Sequence, residues 1–265
     1  MPVARKAERI PVLMYHRVGE PRDAADSRYC VRPADFARQM DELAEHGFRA
    51  VSIDAFFAWL NGGEALPDGA FVLTFDDGFR GVYQYAFPWL QRAQWPCTVF
   101  LVSALVGSRD LWNGGGAGEL LTRDDIRTMA SAGVRFESHT RTHAHLPQLA
   151  DDALALELSA SKADIESLVG QPVRYVAYPY GEVDERVMTA ARRAGYAAGF
   201  GSEPGFNRRN VDRYRIRRLD VYGTDTPRAL RRKIEFGTND GAILGELGYR
   251  ARRLWQRVSP SFRPG

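Results

Sequence analysis

The sequence predicts an α/β protein in which parallel strands joined by helices form one barrel-sized domain. Short apolar runs alternate with helical patterns along the chain, and neither a fixed-period repeat nor a linker divides its 265 residues. The strand candidates are 10–15, 71–75, 97–102, 134–137, 173–178 and 216–221. After the first strand, Phe36, Met40 and Leu43 recur at helical spacing behind Pro33, and Gly47 stops the pattern. Thr122 and Asp125 stand at capping-box spacing and open a helix that ends at Gly133. Residues 151–169 make a long helix with Leu154, Leu158, Ile165 and Leu168 on one side, closed by Gly170 and Pro172. Asp184 starts another, ended by Gly195.

Composition narrows the class. Hydrophobic residues make up 45% and charged residues 26%, the balance of a soluble globular protein and not of a disordered or fibrous one. A net charge of +3 is too small to argue for nucleic acid. The charge is uneven: residues 228–265 hold nine basic residues against three acidic ones. Within that tail Ile243, Leu247, Ala251, Leu254 and Val258 fit one helical face, while Arg250, Arg252, Arg253 and Arg257 lie elsewhere. Such a helix either packs on the barrel or lies against an anionic membrane surface as a peripheral contact. The expected organisation is a catalytic domain over 1–227 and a basic helical extension over 228–265. Cys30 and Cys97 share no motif spacing and are expected as buried free thiols. The apolar run at 10–15 is too short for a signal core, and no stretch reaches the roughly 20 apolar residues of a membrane span. A cytoplasmic location is expected.

Chemistry concentrates at strand ends. Asp76 and Asp77 follow the run ending at Phe75; His139 and His143, four apart, follow the run ending at Glu137. Pro179 and Tyr180 close another strand, and His16 closes the first. In a parallel barrel the carboxyl ends of the strands converge on one face, where active sites sit. One aspartate with both histidines makes three metal ligands and leaves a position open for water; the other aspartate is free to take that water's proton. Ser138 and Thr142 stand where they can orient the imidazole rings. His145 is a further histidine two residues on. The glycine-rich segment 113–118 lacks the Lys-Ser/Thr of a phosphate loop and is expected to be a mobile loop. Trp112, Tyr180 and Phe206 offer sugar-stacking faces, and the arginine-rich stretch 207–218 is expected as a salt-bridged surface.

The runs Thr74-Phe-Asp-Asp-Gly78, Ser138-His-Thr-Arg-Thr-His143 and Tyr178-Pro-Tyr-Gly181 resemble the successive motifs of the polysaccharide deacetylase family, the NodB-homology carbohydrate esterases of family 4. The opening Val12-Leu-Met-Tyr-His-Arg-Val18 resembles the branch that contains poly-N-acetylglucosamine deacetylases. The resemblance covers residues from about 10 to about 222. It implies a distorted (β/α) barrel, usually seven-stranded, and metal-dependent removal of acetyl groups from an acetylated amino-sugar glycan. By motif it makes Asp77, His139 and His143 the metal ligands, Asp76 the general base, and the Tyr180 backbone N–H an oxyanion donor. The donor set suits zinc first, with nickel, cobalt or iron compatible.

Two features depart from the family pattern. The arginine that often precedes Pro-Tyr-Gly and orients the base is replaced by Ala177, and no histidine follows His145 to serve as the late general acid. His46 stands at a helix end, where the dipole accounts for it. The resembling branch places its acid in the early Tyr-His motif, so His16 is the expected proton donor, with His145 second. The same site fits O-acetyl or cyclic-amide hydrolysis, and the two departures also fit a carbohydrate-binding protein that has lost catalysis.

Overall fold

The computed structural model describes residues 6–23, 26–112 and 118–241, so the amphipathic tail pattern from Ile243 onward and most of the glycine-rich loop lie outside the described residues. The chain runs β1 (Val12–Tyr15), β2 (Arg17–Val18), β3 (Cys30–Val31), α1 (Pro33–Glu45), β4 (Arg49–Ala50), α2 (Ile53–Leu60) and β5 (Ala70–Phe75). It continues through α3 (Phe87–Ala93), β6 (Thr98–Leu101), α4 (Arg123–Ser131), β7 (Arg135–Ser138) and α5 (Asp151–Val169). The last elements are β8 (Tyr175–Ala177), α6 (Glu185–Arg193), β9 (Ala198–Phe200), β10 (Leu219–Asp220) and α7 (Pro227–Phe236).

Seven strands pair in the order β10-β1-β5-β6-β7-β8-β9, every pair parallel, with β4 added beside β5. The sheet curls until its two edges meet, where Phe200 at the end of β9 bridges Ile216 just before β10. This is the distorted parallel barrel that the motifs imply.

Helix limits follow from local chemistry. Thr122 and Asp125 form both halves of the expected capping box at the start of α4. α5 occupies the predicted span and ends on Gly170 at φ 67°. His46 caps α1, its Nδ1 2.8 Å from the Glu42 carbonyl, well removed from the strand ends. α7, at the start of the predicted extension, packs against α1. Cys30 and Cys97 are buried free thiols, as expected.

The pleat sorts the strands into two faces, because successive side chains alternate. Leu13, Tyr15, Leu73, Phe75, Val99, Leu101, Phe136 and Val176 point outward into a core shared with the helices. Val12, Val72, Phe100, Tyr175, Ala177, Ala198 and Phe200 point into the barrel. There they meet α2, whose Ile53, Phe56, Phe57, Trp59 and Leu60 are all buried. The Phe57 ring stacks on Tyr175 with centroids 4.3 Å apart. α2 is therefore a stopper in the lower half of the barrel. Counting on by two from the inward residues reaches His16 just beyond β1 and Asp76 just beyond β5, and the pairing of Tyr15 with Phe75 sets those two at one level.

An acidic side chain also stands among the inward residues of the lower strands. Glu137 is completely buried; it accepts from Arg135 Nε at 2.7 Å and from the backbone N–H groups of Arg174 at 2.7 Å and Tyr175 at 2.8 Å. The carboxylate thus pins the start of β8 to β7. Glu137→Gln turns an amide NH2 toward one of these donors and is expected to lower stability by about 2 kcal/mol. A lower urea midpoint with an unchanged m-value is the check.

Candidate metal centre and active site

Adjacent residues in a strand face opposite sides, so two consecutive aspartates cannot both enter the barrel without a turn. The turn is present. Asp77 adopts φ 71°, and the Gly78 N–H closes a three-residue turn on the Asp76 carbonyl at 2.9 Å. Gly78 itself, at φ 77°, has no room for a side chain: a Cβ there would lie 2.7 Å from Leu101. Both carboxylates are consequently buried in the barrel mouth, at 1% and 5% exposure.

His139 and His143 come from the loop after β7. The ring of His139 is fixed through Nδ1, 2.8 Å from the Ala177 carbonyl. A carbonyl only accepts, so Nδ1 carries the proton and the Nε2 lone pair faces the site. Asp77 Oδ1 lies 3.4 Å from His139 Nε2 and 3.3 Å from His143 Nε2. It is buried with no hydrogen-bond partner. Three ligands at about 2.1 Å from a tetrahedral metal stand about 3.4 Å apart, so these spacings match a cation site and leave the Asp77 oxygen otherwise unexplained. The same three residues form a buried cluster that could hold a metal ion. Trp112 stacks on the His143 ring with centroids 4.2 Å apart.

Ser138 and Thr142 do not orient the rings as expected. Ser138 faces outward and shares a hydrogen bond with Ser161 of α5, while Thr142 donates to Glu157. Both residues secure the loop to α5; the ring of His139 is held by the β8 backbone instead.

Asp76 has the arginine that its motif lacks. Arg218, 1% exposed, donates from a terminal nitrogen to Asp76 Oδ1 at 2.7 Å and from Nε to the Gly201 carbonyl at 2.7 Å. Burial alone would raise the Asp76 carboxyl, but the Arg218 charge overrides it and holds the group below its ordinary value. Burial likewise opposes the charge on Asp77, and the two imidazoles hold it far down. On the imidazoles burial works against protonation; the Asp76 and Asp77 charges prevail at His139, which is raised, and not at His143, which is lowered. Asp76 Oδ2 stays clear of Arg218 and lies 4.0 Å from His139 Nε2, leaving one oxygen of the carboxylate turned toward the cation site.

A cavity of about 300 Å3 joins these groups and is also lined by His16, Tyr29, Trp112, Tyr180, Arg218, Asp220 and Tyr222. All six predicted site residues, His16, Asp76, Asp77, His139, His143 and Tyr180, therefore meet at one mouth. Phe206 does not: it lies under Arg9, in a separate hollow with Phe48 and Ile234. Tyr29 and Tyr222 went unnoticed in the sequence, and Arg218, expected within a salt-bridged surface stretch, is buried instead. The arginine alternates with Ile216 and Asp220 along a predicted strand, and that alternation is the one signal that marks it as inward-facing.

A parallel barrel with an Asp-His-His cluster and a second, uncoordinated carboxylate at its mouth defines a class of hydrolase with a candidate cation site. Residues 63–199 match the polysaccharide deacetylase family model, and the chain belongs to that family. It is 26% identical over 216 residues to the Bacillus subtilis (strain 168) protein YxkH, named provisionally as a polysaccharide deacetylase, covering 82% of this chain and 72% of that one. It is 22% identical to the poly-β-1,6-N-acetyl-D-glucosamine N-deacetylase of Staphylococcus aureus, covering 72% and 67%. The solved structure of IcaB from Ammonifex degensii superimposes with a TM-score of 0.75 at 27% identity, covering 88% of this chain and 98% of that one.

The Arg218–Asp76 pair yields a pH prediction. With Arg218 present, Asp76 stays ionised well below neutrality. Arg218→Met removes the largest influence opposing burial, so the carboxyl rises and the acidic limb of kcat/KM is expected to move to higher pH by about 1–3 units. The loss of rate is therefore larger at pH 6 than at pH 8, as a pH–rate profile of both proteins will show.

Proposed function

We propose that this protein removes the acetyl group from N-acetylhexosamine units of a polysaccharide or lipid-linked glycan. The observation that carries the reading is the orphan Asp77 oxygen at tetrahedral spacing from two imidazole nitrogens, beside a carboxylate held ionised by Arg218. The Staphylococcus aureus relative, named for the β-1,6-linked polymer, supports an acetylated glucosamine chain as the substrate class. The cavity is at the small end of ligand pockets and takes one acetamido sugar, with neighbouring units outside against Tyr29 and Tyr180, which are 41% and 46% exposed.

Asp77, His139 and His143 would hold a divalent cation, zinc or alternatively nickel, cobalt or iron, which supplies Lewis acidity toward the acetyl carbonyl and acidifies water. Asp76 accepts the proton of the attacking water at Oδ2, the oxygen that Arg218 leaves free. Arg218 keeps that carboxylate ionised and fixes its direction through Oδ1. As the carbonyl oxygen gains charge, the Tyr180 N–H donates to it. His16, on the β1 side of the cavity, protonates the nitrogen as the carbon–nitrogen bond breaks. Acetate and a free amino sugar result, with one water consumed.

Acetate release from an oligomer of N-acetylglucosamine tests the reading. Dialysis against a chelator is expected to abolish release and added zinc or cobalt to restore it. Asp77→Ala should lose bound metal, measured by elemental analysis, together with activity. Full activity in the chelated protein or in Asp77→Ala would overturn the metal mechanism.

His16→Phe isolates the proton donor. Metal content should stay at the wild-type level while kcat falls about 10²–10⁴-fold. An aryl acetate, whose phenolate leaves without being protonated, should recover most of the rate. Equal losses on the amide and on the activated ester would remove His16 from that role.

A further inference from the structure

Tyr180 is held in an unusual way. It occupies the left-handed region at φ 60° and ψ 3°, inside the short turn Pro179–Gly181. A tyrosine does not settle there without something to keep it. The turn's hydrogen bonds run from the Gly181 and Glu182 N–H groups to the Tyr178 and Pro179 carbonyls, at 3.0 and 3.1 Å. The side chain is gripped from another element. The His145 ring lies flat against the tyrosine ring, centroids 3.9 Å apart and planes 7° from parallel, the tightest stack among the described residues. His145 Nδ1 is in turn 2.9 Å from the Glu182 carboxylate. Tyr180 and Glu182 thus take hold of one imidazole from two directions. Between them stands Gly181, at φ 71°, where a Cβ would lie 1.8 Å from the Ser202 hydroxyl.

The imidazole is a firm post. His145 opens the turn Leu146–Gln148, whose Leu146 is completely buried, and its carbonyl accepts from the Gln148 N–H at 3.0 Å. The Tyr180 ring also meets the His143 ring nearly edge-on, centroids 4.7 Å apart. The side chains of His145 and Glu182 are 44% and 40% exposed, so the grip sits outside the core and its removal leaves the barrel intact.

We propose that His145 and Glu182 are positioning residues whose clasp holds Tyr180 in the left-handed conformation that presents its amide to the acetyl oxygen. The inference rests on the deacetylase reading given above. It also separates His145 from proton transfer, for which it was the second candidate in the sequence.

The test uses the metal-loaded full chain and two readouts, steady-state acetate release and amide hydrogen exchange over residues 178–184. His145→Ala is expected to lower kcat about fivefold to tenfold with KM within about twofold, and to speed exchange in that segment. His145→Phe keeps a flat ring but has no proton to give, and should retain at least about half of the rate. Glu182→Gln should fall between the two. In a Tyr180→Gly background the backbone adopts positive φ unaided, so adding His145→Ala should cost less than about twofold. Phe as damaging as Ala would assign His145 to proton transfer and overturn the proposal. Equal fold losses in the two backgrounds, or exchange unchanged in His145→Ala, would also overturn it. A wild-type protein that releases no acetate would sink the deacetylase reading alone, because the exchange measurement still reports on the clasp.

Discussion

The buried contact between Arg218 and Asp76 is the constraint on which the rest of this mouth depends. Arg218 sits at the seam where the curled sheet meets itself, and its two bonds reach the ends of different strands: Asp76 beyond β5 and Gly201 beyond β9. A buried charge without a partner is costly, so the arginine and the aspartate each require the other. One pair therefore does two things. It draws the open seam together, and it fixes which oxygen of the carboxylate stays free of the arginine.

Backbone conformation is the second ingredient. Among the described residues, five non-glycine positions have positive φ: Asp77, Gln94, Thr140, His143 and Tyr180. Gln94 merely ends α3. The other four belong to the loops around the candidate cation site, where the unusual conformation redirects a side chain or an amide that a regular strand would send elsewhere. Left-handed backbone of this kind costs roughly 1–3 kcal/mol per residue, which the surrounding packing must offset. The aromatic stacks of Trp112 on His143 and of His145 on Tyr180 supply part of that support.

Much of this arrangement can be read from the sequence, for a physical reason. Parallel strands release their loops at one rim, so motifs that follow separate apolar runs must converge; His16, Asp76, Asp77, His139, His143 and Tyr180 do so. Helices with a cap and a polar face, such as α4 and α5, were also legible. α2 was not, because seven of the eight residues of Ile53–Leu60 are apolar and Asp54 is its one polar residue. β9 has three residues and no room for a pattern. Arg218 escaped because its partner is 142 positions away and its neighbourhood is crowded with other arginines that serve the surface. Among these, Arg213 donates to the Leu60 carbonyl at the end of α2 and Arg217 pairs with Glu203, so charge alone did not single out the one that turns inward.

The plug formed by α2 carries a kinetic consequence. Because Phe56, Phe57 and Trp59 are buried inside the barrel, the described residues leave the cavity no passage through its floor. Anything small made beneath a long bound molecule has no rear exit. For the acetyl hydrolysis proposed above, departure would then follow an order: the larger product lifts or slides first, and the smaller anion escapes behind it.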